Sequence, residues 1–99
     1  MIDNVDHSSC MGLLKERNYN EAIKCFDKIT KIDSSNIEAC YNKGICHMKL
    51  KQLKEALECF DKVLELDSNN VDALNNRGFA LATIEKFQQA INYFDKALE

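Results

Sequence analysis

The side chains able to do chemistry in this sequence are five cysteines, two histidines and a scatter of carboxylates. Cys10, Cys25, Cys40, Cys46 and Cys59 are odd in number and include no C-x-x-C pair, so they match neither a disulfide framework nor a common zinc module. A free cysteine packs as a small hydrophobe, and each of the five lies in or beside a helical pattern, so all are expected as core or half-buried thiols in a reducing compartment. His47 follows Cys46 directly, yet adjacent residues on a helix point about 100° apart, and a packed histidine is expected there rather than a ligand. His7, close to the start, is read as a solvated side chain. Glu55, Glu58, Asp61 and Glu65 recur three or four residues from Lys54, Lys62 and similar partners, the pattern of a solvated helix face. Neither a Ser/His/Asp order, a Gly-rich phosphate loop nor a calcium-loop spacing can be assembled. No catalytic residue, metal ligand or cofactor is therefore expected, and an enzyme is the wrong class.

The elements that carry these residues are helices. Ninety-nine residues, 45% hydrophobic and 29% charged, describe one domain of the globular type. The sequence holds no Pro and only three Gly, which suits helices joined by short polar turns. A net charge of −3 supplies no basic field for phosphates, so nucleic acid and anionic membranes are not expected partners. No apolar run approaches the roughly 20 residues that span a bilayer. The start MIDNVDHSS lacks the charged lead and apolar stretch of a signal peptide, which leaves a cytoplasmic setting as the expectation.

Aligned on itself, the chain repeats. Ala22, Ala56 and Ala90 are 34 residues apart, as are Phe26, Phe60 and Phe94. The text around them also recurs: YNEAIKCFDKI, LKEALECFDKV and FQQAINYFDKA share A-[IL]-x-x-F-D-K. Upstream, IEACYNKGICHMKL and VDALNNRGFALATI place Gly44 under Gly78. Inside a unit, Ala56, Leu57, Phe60, Val63 and Leu64 fall on one helix face. The clusters Asp33 to Asn36 and Asp67 to Asn70 are turns whose side-chain oxygens end one helix and cap the next. Helices are predicted at about 4–16, 20–32, 37–50, 54–66, 71–84 and 88–99, that is, three hairpins of period 34.

In these residues the sequence resembles the tetratricopeptide repeat family, a helix-turn-helix unit of 34 residues with small and aromatic side chains at fixed slots. The resemblance covers nearly the whole chain and implies an all-α solenoid of three such hairpins, wound as a right-handed superhelix. One domain, 1–99, would hold repeats at about 3–36, 37–70 and 71–99, the last incomplete. The Ala and Phe slots match three times and the Gly slot twice. The family's Trp slot holds Asp6, Cys40 and Leu74, its Leu slot Ser9, Lys43 and Arg77, its Tyr slot Leu13, His47 and Leu81, and its closing Pro is Ser34 or Ser68. Copy one has Cys10 in the Gly slot and a weakly apolar first helix, which is the one expected to fray.

The resemblance also implies that the first helix of each hairpin lines a concave face. Carried over slot by slot, three rows result: Met11, Ile45 and Phe79; Ser8, Asn42 and Asn76; His7, Tyr41 and Asn75. An Asn ladder pairs with the backbone of an extended peptide almost irrespective of its sequence, and the Met and aromatic groups add adaptable apolar contact. The alternative is that the apolar row only packs between helices and the Asn residues bond locally. A subgroup of the family grips the terminal carboxylate of chaperone tails with Lys, Arg and Asn. Of that clamp only Asn42 matches, the basic slots holding His7, Asp72 and Asn76, so acidic tails are disfavoured despite Lys15 and Lys49 nearby.

A module that holds a protein or peptide on this face is the leading expectation. The second is a structural, self-associating scaffold or a fragment of a longer array. Its basis is the last helix, where Ala90, Ile91, Tyr93, Phe94, Ala97 and Leu98 lack a following hairpin; Ile91, Phe94 and Leu98 are the expected contacts of a homo-oligomer. A Cys/His metal site on an inert scaffold is third.

Overall fold

The computed structural model describes residues 6–97, and every regular element among them is helical. The order is α1 (His7–Lys15), α2 (Tyr19–Ile32), α3 (Ile37–Lys49), α4 (Leu53–Leu66) and α5 (Val71–Ala97). Four of the predicted helices are recovered to within a few residues; the start of the first falls partly outside the described residues. Each helix packs mainly on its neighbours in the chain, which gives a stack 62 Å long and 29 by 19 Å across.

Local chemistry sets the boundaries. Asp6, Asn36 and Asn70 each accept a hydrogen bond from the backbone N–H three residues on, at 2.8, 3.0 and 2.9 Å, and so begin α1, α3 and α5. Between units, Asp33 Oδ1 accepts from the N–H and hydroxyl of Ser35, and Asp67 Oδ1 from the N–H of Asn69, which closes the turns foreseen at those clusters. Within units the turn is different. Arg17 and Lys51 sit at φ 62° and 63°, with Asn18 N–H bonded to the Leu13 carbonyl and Gln52 N–H to that of His47. These paired six-to-one bonds end a helix and reverse the chain, at the cost of a left-handed residue without the glycine that favours it.

The core is the repeated small-plus-aromatic set. Ala22, Phe26, Ala56 and Phe60 are wholly buried. Phe60 lies over Gly44 so closely that a Cβ there would stand 2.8 Å from its ring and 3.0 Å from Cys59 Cβ. One ion pair recurs with the period: Lys43 to Asp27 at 2.6 Å and Arg77 to Asp61 at 2.7 Å join the first helix of one unit to the second helix of the unit before. Burial pulls the Lys43 ammonium down, but the Asp27 carboxylate outweighs it and its pKa lies above the ordinary lysine value.

Three expectations change. Cys10 and Cys25 form a disulfide between α1 and α2, with Cα atoms 5.4 Å apart, so the five thiols are not all free. An antiparallel hairpin brings together residues 15 apart that no short motif search connects. The helix expected to fray is thus covalently tied, and the thiol argument for a reducing compartment loses its basis. The last two predicted helices are one: α5 runs without interruption for 27 residues through the predicted turn, so the third unit is not folded back as a hairpin. Local composition does not mark the difference, since 83–87 and the reversing turns at 16–18 and 50–52 alike lack Gly and Pro. Third, His7 is not a solvated side chain but half-buried, with its ring centroid 5.7 Å from that of Phe26.

Two outcomes are expected. Gly44→Ala forces the Phe60 ring to move and should cost about 1–3 kcal/mol, whereas Gly12→Ala, with nothing within 4 Å, should be neutral or stabilising by up to about 1 kcal/mol; denaturant titration compares them. Burial pushes the Cys46 and Cys59 thiols up to about 11 and raises Cys40 as well. Alkylation of the native protein at pH 8 should therefore run on the order of a hundredfold slower than for a free thiol and accelerate toward pH 11. Denatured protein should titrate three thiols without reductant and five with it.

Candidate peptide-binding surface

The caps of α1, α3 and α5 fix the rotation of these helices, and with it a repeated set of polar contacts. Asn42 Nδ2 lies 3.4 Å from His7 Nε2. Thirty-four residues on, Asn76 Nδ2 donates to Tyr41 Oη at 2.9 Å and also to the Asp72 carbonyl at 2.9 Å. Both inter-unit contacts have a separation of 35, from the second row in one unit to the third row in the unit before. The rings beneath repeat as well: His7 stands on Phe26, and Tyr41 stands on Phe60 with centroids 5.8 Å apart. Each aromatic of the core thus carries a polar ring, and each polar ring positions the next amide.

Asn76 uses its N–H group on the protein and Asn42 sets its amide nitrogen against the His7 ring, and no described donor reaches Oδ1 of either. A side-chain carbonyl held in this way is an acceptor for an incoming backbone N–H. Beside Asn76 a groove of about 410 Å³ opens between α3 and α5, lined by Ile45, Met48, Lys49, Lys51 and Phe79. Phe79 is 66% exposed there. Toward α1 the charge is opposite: Glu38 Oε2 is 3.5 Å from His7 Nε2. His7 Nδ1 is buried without a partner among the described residues. Burial, then the Asp72 charge, raise the Tyr41 phenol above its ordinary value, against the opposing hydrogen bond from Asn76.

Of the nine residues in the three expected rows, six converge: His7, Tyr41, Asn42, Ile45, Asn76 and Phe79. Ser8 and Asn75 are exposed and outside this network, and Met11 packs against the core of the first hairpin. Residue spacing missed Glu38, Met48 and Lys51; Met48 lies three residues after Ile45, a helical interval that signals the shared face. A second groove of about 310 Å³ between α2, α3 and α4 is lined by Cys40, Cys59, His47, Glu55 and Glu58. His47 Nδ1 is 2.7 Å from Gln52 Oε1. No three His, Cys, Asp or Glu side chains converge on a metal position among the described residues.

Sequence models of the tetratricopeptide repeat match residues 13–36, 37–70 and 59–92. The chain belongs to the tetratricopeptide repeat family. Curated proteins yield no match. Among solved structures, the second tetratricopeptide domain of Spaghetti (RPAP3), bound to the HSP90 peptide SRMEEVD, is 25% identical and superposes with a TM-score of 0.76, over 92% of this chain and 84% of that one. The Arabidopsis OM64 tetratricopeptide domain, 22% identical, matches at 0.74 over 90% and 74%. MamA from Desulfovibrio magneticus RS-1, solved from residue 41 to its end and 21% identical, matches at 0.76 over 93% of this chain but only 52% of that one, so the chain here spans about half the length of the solved MamA segment. A tetratricopeptide array of this type is a protein-interaction module.

Spectrophotometric titration of tyrosine tests the polar ladder: Tyr41 should ionise above pH 10, and Asp72→Asn should lower its pKa by removing the raising charge. The stability that the neutral phenol contributes should fall away as pH rises beyond about 10 and not do so in Tyr41→Phe.

Proposed function

We propose that the chain, as a single tetratricopeptide domain, binds an extended peptide segment of a protein partner along α1, α3 and α5 and performs no catalysis. The observation that carries this is the pair of amides, Asn42 set against the His7 ring and Asn76 anchored through its N–H to Tyr41, each in contact with the preceding unit and with its carbonyl oxygen unclaimed by any described donor. Two acceptors held one repeat apart suit the N–H groups of an extended backbone, while Ile45, Met48 and Phe79 offer an apolar seat for one side chain. His7 and Tyr41 complete the face beside the two amides, with the exposed Ser8 and Asn75 at its margin and Met11 reaching it from the first hairpin's core. The bound Spaghetti domain supports the mode of binding but not the same ligand: Glu38 beside α1 and Asp72 beside Tyr41 repel an acidic tail, and only Lys49 and Lys51 among the groove's described residues offer a positive charge. A partner with an apolar side chain at the groove, an acidic residue beside it and a basic residue toward Glu38 fits these charges.

No described helix is long and apolar enough to cross a membrane. The proposal includes a cytoplasmic setting, no nucleic-acid partner at net charge −3, and self-association through the C-terminal helix as a second property. Ile91 at 52% and Phe94 at 63% exposure support the last; Leu98, also expected there, lies outside the described residues.

Selection from a displayed random-peptide library, followed by calorimetry on a selected peptide, tests the concave assignment. Asn42→Ala with Asn76→Ala should weaken binding about tenfold or more, since each amide bond contributes about 0.5–1.5 kcal/mol. Unchanged binding in that variant, with loss on Lys62→Glu in α4, would place the site elsewhere.

A further inference from the structure

One helix of the binding face is held by a bond that chemistry can open. α1 is nine residues long, too short to persist in water on its own, and it packs mainly on α2. The Cys10–Cys25 disulfide is the covalent part of that packing, and its two sulfurs sit in different surroundings. Cys10 is wholly buried in one cluster with Ala22 and Phe26, while Cys25, at the edge of that cluster, is half-buried. The cluster also holds the free thiol of Cys46 on α3. Burial pushes that thiol up to about 11, so near neutral pH it stays protonated and does not attack the disulfide.

The bond occupies the slot that decides how closely the helices of a hairpin approach. In the second unit the counterparts of Cys10 and Cys25 are Gly44 and Cys59, which need no bond: a Cβ on Gly44 would stand 3.0 Å from Cys59 Cβ. The first unit has a full side chain in that slot and accommodates it because the two sulfurs are joined. Once reduced, the sulfurs must part to a non-bonded distance, in a cluster where Cys10, Ala22 and Phe26 leave no free space. The short α1 is the element that yields. It carries His7, whose ring stands on Phe26 and whose Nε2 lies 3.4 Å from Asn42 Nδ2 and 3.5 Å from Glu38 Oε2.

We propose that Cys10–Cys25 is a redox gate on the peptide face: oxidised, it holds α1 and His7 against Asn42; reduced, it releases α1 and with it the first unit's part of the site. The gate rests on the peptide reading for its ligand, whereas the release of α1 does not. The opening agent is a dithiol. Its thiolate attacks the half-buried Cys25 sulfur and displaces the Cys10 sulfur, which takes up a proton. The second thiol of the reductant then attacks the mixed disulfide, Cys25 leaves and is protonated in turn, and the reductant departs as its own disulfide. Two electrons and two protons pass to the protein, and a disulfide oxidant reverses the change.

Amide hydrogen exchange, and calorimetry with a peptide selected from a random library against the oxidised protein, compare the chain before and after treatment with dithiothreitol. Reduction should speed exchange over residues 8–15 about tenfold or more, with α3 and α4 little changed, and should weaken the peptide about fivefold or more. Cys10→Ser with Cys25→Ser should behave as the reduced chain. Cys10→Gly, which gives the first unit the slot of the second, should bind within about twofold of the oxidised protein with or without dithiothreitol. Unchanged exchange in α1 on reduction would overturn the gate whatever the peptide does. So would faster exchange with unchanged affinity, or a Cys10→Gly protein that loses the peptide in dithiothreitol as the wild type does. A chain that selects no peptide overturns the peptide reading and the gate's ligand with it, while faster α1 exchange in that case upholds the release itself, so the two failures are distinguishable.

Discussion

The structure depends on how closely the two helices of a hairpin approach. In the second unit that distance is set by a missing side chain: the Phe60 ring occupies the place a Cβ of Gly44 would need. The ring is then buried on all sides, Tyr41 stands on it, and the Tyr41 hydroxyl orients Asn76 in the following unit. One steric fact thus passes from the core to the surface in three contacts. Burying an aromatic ring of this size contributes about 1.5–3 kcal/mol, a large share of what a short hairpin has to offset the entropy of ordering its chain.

The first and third units show what happens when that contact is altered. In the first, Cys10 takes the glycine slot, and its side chain is accommodated because its sulfur is bonded to Cys25, the residue before Phe26. A covalent link replaces the close approach, and Phe26 is as completely buried as Phe60. In the third, the glycine is present but no ring comes to it, since α5 continues where α1 and α3 reverse. Reversal requires a non-glycine residue in the left-handed region, and in the first two units the returning helix compensates by packing against the hairpin partner and the next unit together.

Between units a second, weaker constraint repeats. Asp27 with Lys43 and Asp61 with Arg77 are partly exposed ion pairs, each contributing about 0.2–1 kcal/mol. Their value lies in register: they fix which residue of one unit stands beside which of the next, and the bonds of separation 35 on the opposite helix edge do the same. The aspartate of F-D-K, which the sequence alone marks only as charged, is the inter-unit member of this pairing.

Whatever is written in short-range chemistry and repeated can be read from the residues without the fold: the period of 34, the positions of the first four helices, the Asp and Asn caps, the burial of the Ala and Phe slots in the first two units, and membership of the tetratricopeptide family. Each of these is a property of a few neighbouring residues, and three copies average out the noise in any one. The convergence of His7, Tyr41, Asn42 and Asn76 was legible as a face but not as a network, because pairings at separation 35 depend on how far one hairpin rotates against the next. The Cys10–Cys25 bond, the burial of His7 and the continuity of α5 emerge only once the helices are packed. A disulfide needs two Cβ atoms brought within reach across a hairpin, and a turn forms only where the packing it creates outweighs the helix it interrupts. Both are settled by distances between elements, which no local pattern of residues contains.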